Sequence, residues 1–178
     1  HFHLLVFTQD LRENDDAMCE LLQTLSNPQP EPSSWSQYGE DLNEKGLLEL
    51  IYREALRRGC PDRPRVVGHA ALALASLATK HETLRASMFA FEKLSDFFIE
   101  ATERMRDKTE TMGSVMQLLL ELSDAVCWQQ KEKMAQLIDN LFGLLEGGFV
   151  YCEEDKALVG PMWRLTWALL NKLIAKSV

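Results

Sequence analysis

Residues 64–79, PRVVGHAALALASLAT, decide the fold. Pro64 suits the first turn of a helix, where a missing N–H costs nothing. Behind it Val66, Val67, Ala70, Leu72, Leu74 and Leu77 spread over nearly the whole helical circumference. A helix of that kind must be covered on several sides. Residues 110–126 (ETMGSVMQLLLELSDAV) and 161–176 (PMWRLTWALLNKLIAK) have the same character. Between the first two lie 81–91 and 92–106, one or two amphipathic helices carrying Leu84, Met88, Phe91, Leu94, Phe97, Phe98 and Ile99. Residues 129–146 are amphipathic as well and stop at Gly147-Gly148. Towards the N-terminus, 44–58 sets Leu47, Leu48, Leu50, Ile51, Ala55 and Leu56 on one helical side and ends at Gly59 and Pro61. Residues 16–25 follow Asp15 as an N-cap and stop at Ser26-Asn27-Pro28. The intervening 27–43, with three prolines and several small polar residues, reads as a long loop. Strand patterns are nearly absent, so the expectation is an all-α chain of about eight helices.

The three apolar helices also repeat one another. Leu72-Ala73-Leu74-Ala75-Ser76, Leu119-Leu120-Glu121-Leu122-Ser123 and Trp167-Ala168-Leu169-Leu170-Asn171 superimpose as pentads whose last residues lie 47 and then 48 positions apart. One unit then holds two amphipathic helices and one buried helix, and buries its apolar faces only by stacking on its neighbours. The chain divides accordingly into an N-terminal helical cap or repeat, 1–63, with the proline-rich loop at 27–43, and a continuous run of repeats, 64–178.

The stretch Arg65 to Phe98 resembles the third helix of an armadillo repeat running into the first two helices of the next. The pentad Trp167 to Asn171 is similar to the tryptophan-and-asparagine pattern on the groove-lining helices of that family. The matching positions of the earlier pentads are Leu72 with Ser76 and Leu119 with Ser123. The resemblance, at the level of the armadillo/HEAT-like class, implies an α-solenoid, a right-handed superhelix whose concave side binds an extended peptide. It also implies that Asn171 and Trp167 line the groove, with Trp163 one turn earlier.

Composition narrows the function. The 178 residues, 46% hydrophobic, suit one compact domain or a piece of a longer array and exclude general disorder. The first residue is His1, which reads as part of a longer protein, and no secretory signal opens the chain. No apolar run approaches the roughly 18 to 20 residues that cross a bilayer, so no membrane role is expected. The net charge of −8 carries no long basic face, which argues against direct nucleic-acid binding. Residues 1–50 hold ten acids against two bases, whereas 51–65 hold five arginines, including Arg53, Arg57 and Arg58. These arginines either dock an acidic partner or close a helix against its dipole. Cys19, Cys60, Cys127 and Cys152 form no CxxC pair, as in a reduced intracellular protein of cytoplasm or nucleus.

Candidate binding residues follow from the repeat. Trp163, Trp167 and Asn171 form either a binding stripe or part of the core of the last helix. Gln117 and Glu121 take the same face of the preceding copy, and His69 and Ser76 that of the one before. Trp35, in the proline-rich loop, either anchors a partner or tucks against its own domain. No catalytic, metal-binding or cofactor-binding motif occurs, so no enzyme and no cofactor is expected. The expected function is a scaffold or adaptor that takes a partner peptide or helix, with basic flanks, on the concave face. The alternatives are a structural section of a larger solenoid or homodimer and, further off, a helical ligand-binding or enzyme domain; the oligomeric state stays open.

Overall fold

The computed structural model describes residues 13–28, 32–123, 131–148 and 156–177. Among these residues the chain is all-helical, with no strand. Nine α-helices follow one another among them: α1 (Asp15–Ser26), α2 (Trp35–Glu44), α3 (Leu47–Ile51), α4 (Pro64–Lys80), α5 (Glu82–Ala90), α6 (Lys93–Arg104), α7 (Thr109–Leu122), α8 (Lys131–Gly143) and α9 (Lys156–Ser177). α3 runs on into a π-helical turn, Tyr52–Arg57, and α8 into another, Leu144–Gly148.

α4 is covered as its composition demands. Val66, Val67, Ala70, Ala71, Ala73, Leu74, Ala75, Leu77 and Ala78 are all buried, leaving a narrow uncovered stripe. The cover comes from α1, α7, α5 and the Tyr52–Arg57 turn. Small residues bring α4 and α7 close, since a Cβ built on Gly68 would sit only 3.6 Å from the Thr111 Cα. The Thr111 hydroxyl donates to the Pro64 carbonyl at 2.9 Å across that contact. α7 in turn packs on α9, where the Thr166 hydroxyl donates to Met116 Sδ at 3.3 Å. The order is therefore α1, α4, α7, α9, each helix against the next. Of the remaining helices, α2 packs on α5 and α6 on α8, with α3 beside α2. Phe98, Leu74, Met105, Met112 and Met116 lie fully buried in one continuous core.

The structure corrects four local expectations. Part of the stretch read as a loop, 27–43, is helix α2. Ser34 caps it, accepting from the Gln37 N–H at 3.2 Å, and Tyr38, Gly39 and Leu42 face inward. The N-cap of α1 is Asn14 rather than Asp15, its side chain accepting from the Ala17 N–H at 3.1 Å. The single helix expected over 44–58 instead starts after Gly46, whose φ of +68° suits glycine, and widens into the π-helical turn. Finally, α9 begins at Lys156, so Pro161 lies inside it. That proline gives up one main-chain hydrogen bond early in a 22-residue helix, and the rest of the segment holds the helix together. No described helix is long and apolar enough to cross a membrane.

Truncation at the α4–α7 contact is expected to be costly. Leu74→Ala or Leu119→Ala should lower the unfolding free energy by about 2–5 kcal/mol through the cavity left behind, as read by urea denaturation. A loss below about 1 kcal/mol would mean that the two helices do not pack as described.

Candidate functional site

The stripe that α4 leaves uncovered carries Arg65, His69, Leu72 and Ser76, spaced by four, three and four residues. Leu72 is 43% exposed, whereas its pentad counterpart Leu119 is fully buried. The uncovered side of α7 carries Glu110 and Gln117, with Glu121 half-buried at its edge. On α9, Thr166, Leu169, Leu170 and Leu173 turn inward. Trp163, Trp167 and Ile174 remain 40%, 45% and 41% exposed, with Asn171 exposed among them. Of the two roles open to the tryptophans, core or surface stripe, the structure places both on the surface.

Between α4 and α7 this surface dips into an open cleft of about 430 Å³. Arg65, His69 and Leu72 line it from α4, and Thr109, Thr111 and Ser114 from α7. The close approach at Gly68 forms its floor. At its mouth the Lys108 ammonium donates to the Asp107 carboxylate at 2.8 Å and holds that acid below its ordinary range. A cleft walled by Leu72 and Pro64, with several hydroxyls and charged groups, suits a side chain or a short main-chain segment. Its position was legible in part: His69 and Ser76 were expected on this stripe, while nothing in the pattern of the pentads separated exposed Leu72 from buried Leu119.

The other sequence candidates lie elsewhere. Arg53, Arg57 and Arg58 sit exposed on and just after the Tyr52–Arg57 turn. Glu54, nearly fully buried, ties two of them, with Arg53 at 2.7 Å and Arg58 at 3.7 Å. Trp35 belongs to a helix and not a loop, and it packs inward. Its ring lies 5.9 Å from Tyr38 and 5.5 Å from His81, with the Lys80 ammonium 4.7 Å above it. Of its two readings the structure takes the one in which the side chain tucks against its own domain.

The acidic N-terminal segment and the arginine cluster also meet each other. Arg63 Nε donates to Asp15 at 2.6 Å, Arg65 pairs with Asp16, and Lys93 spans to Glu49 at 2.9 Å. Part of the charge asymmetry in the sequence is thus used within the fold, between α1 and the start of α4 and between α3 and α6.

Among the described residues, no three His, Cys, Asp or Glu side chains converge to hold a metal. Cys19 and Cys60 are free, buried thiols; burial raises the pKa of both, that of Cys60 to about 11, so at neutral pH they remain protonated. Cys127 and Cys152 lie outside the described residues. The residue that sequence reasoning passed over is His81. It belongs to no motif, and it is buried at the junction of α4 and α5.

Compared with family models, with curated proteins and with solved structures, the chain finds no match.

The exposure of the tryptophans has a direct consequence for stability. Trp167→Ala is expected to cost less than about 1 kcal/mol, whereas Leu170→Ala on the buried side of the same helix should cost about 2–5 kcal/mol. Thermal unfolding of the two variants checks this; equal losses would put Trp167 in the core.

Proposed function

We propose that the chain is a short α-solenoid of the armadillo/HEAT-like class and works as a non-catalytic protein-interaction scaffold. The uncovered stripes of α4, α7 and α9 form its docking face for a peptide or helix of a partner protein. The observation that carries this reading is the exposed row Trp163, Trp167, Asn171 and Ile174, which places large apolar contact area beside a main-chain-binding amide.

The side-by-side order α1, α4, α7, α9 supports the solenoid, as does the pairing of α2 with α5 and of α6 with α8. Two contacts across that row join residues 47 and 50 positions apart, close to the period of the pentads. Leu72, Trp163 and Trp167 act as anchors, and Gln117, Glu121, His69, Ser76 and Asn171 set the register. Exposed Glu20 and Glu110 favour basic flanks on the partner and give an encounter rate that falls with salt.

A second reading has one specific observation in its favour. α9 is the outermost helix of the row among the described residues, and its exposed apolar side chains would equally receive another helical unit or a second copy. Light scattering separates the two, because a monomer at tens of micromolar leaves that side open to a partner.

The test of the main reading is selection of displayed peptides on the folded chain, followed by calorimetry of the selected peptides. The double variant Trp167→Ala with Asn171→Ala is expected to bind them at least about tenfold more weakly, with a melting temperature nearly unchanged. Selected peptides that bind the double variant as tightly as the parent would refute the docking face.

A further inference from the structure

We propose that His81 is a proton-sensitive latch for α2, and that a proton taken up by its ring releases that helix from the α4–α5 junction. His81 is only 3% exposed, and neither ring nitrogen has a hydrogen-bond partner among the described residues. Its own main chain is fixed, donating to the Leu77 carbonyl and accepting from the Arg85 N–H, both at 2.9 Å. The ring therefore stays where α4 ends and α5 begins, and α2 closes over it. Trp35 and Tyr38 contribute rings with centroids 5.5 and 5.8 Å away. Gly39 lies flush against the imidazole, a Cβ there falling 2.7 Å from Nδ1. Little else buries α2, whose fully inward residues are Tyr38, Gly39 and Leu42.

A neutral imidazole fits this box better than an imidazolium, which would bring two N–H donors and a charge into a buried site where the Trp35 main chain is an acceptor beside the ring but outside hydrogen-bond geometry. The Lys80 ammonium, 4.7 Å from the centroid of the Trp35 ring, would stand as a second cation beside the imidazolium. Lys80 is itself fastened at 2.9 Å to both the Ser26 carbonyl and Asn27 Oδ1. Around the ring, Tyr38 on α2 donates to the Leu25 carbonyl and keeps its proton up to about pH 12. The acids of the packed elements, Glu40, Asp41 and Glu44 on α2 and Glu82 on α5, are solvent-exposed, as is Arg85. Burial lowers the imidazole's proton affinity, the Trp35 main chain opposes this, and Lys80 adds to the lowering.

Once α2 is released, the ring returns to the ordinary histidine range near 6.5 and binds a proton that the docked state refuses. Docking is then at full strength above about pH 7 and weakens as the pH falls through 6.5. By pH 5.5 the weakening reaches at most about tenfold, the limit set by that reference value.

Hydrogen exchange of the intact chain at pH 7.5 and 5.5, corrected for the intrinsic rate, tests the latch. Protection across residues 36–44 should fall by several-fold, up to that limit, at the lower pH, while α6 and α7 hold theirs. His81→Phe, which keeps an aromatic ring without a titrating group, should remove the difference. Equal protection at both pH values in the parent chain, or the same loss in His81→Phe, would overturn the proposal. Should that variant fail to fold, the His81 ring titrated by NMR in the parent chain decides: a midpoint below 6.5 supports the latch, and one at or above 6.5 overturns it.

Discussion

A helix that is apolar over all but a narrow stripe cannot stand at a surface in the ordinary way, and α4 is such a helix. Ten of its seventeen residues are buried, and four different elements are needed to bury them. Covering a flank with another helix of the same kind passes the demand on, so α7 must be covered by α9 in its turn. The row α1, α4, α7, α9 follows from that one requirement. Its uncovered stripes are what remains once α4 and α7 each have a neighbour on either side. Gly68 sets how tightly the central pair can close, and Thr111, bonded to the Pro64 carbonyl, fixes their register.

Polar chemistry is placed around this row rather than within it. Asp15 and Asp16 hold Arg63 and Arg65 at the start of α4, which joins the acidic N-terminal segment to the first apolar helix. Glu54, buried beneath Arg53 and Arg58, does the same for the π-helical turn. At the other end of α4, Lys80 and His81 receive α2 with one ammonium and one neutral imidazole. That contact is specific in geometry yet rests on the few buried residues of α2, which is why the proposed latch acts there.

The apolar helices were legible because their pattern is dense: Leu74, Leu77, Leu118 and Leu119 announce burial whatever surrounds them. The exposed stripe was legible in its polar members, His69, Ser76, Gln117 and Glu121, since polar residues on an otherwise buried helix mark its open side. Other features were hidden for identifiable reasons. In α2 the neighbouring prolines and serines concealed the Trp35–Tyr38–Leu42 spacing, and a ten-residue helix offers too few turns for periodicity to override composition. Leu72 and Leu119 occupy equivalent pentad positions with opposite exposure, because α7 is crowded by neighbours on the side where α4 opens into the cleft. His81 carries no motif at all. Its importance arises only when α2 folds over it, a contact between residues more than forty positions apart.

The row of helices can be measured as a distance. Genetically encoded spin labels at Glu20 on α1 and Asn171 on α9, both exposed, report its two ends by double electron–electron resonance. Four helices side by side, at about 8–10 Å between axes, put those ends roughly 25–30 Å apart. A closed bundle, in which the same four helices converge on one axis, would bring the α1 and α9 axes to within about 15 Å, shorten the label distance accordingly, and contradict the layered arrangement on which the proposed docking face depends.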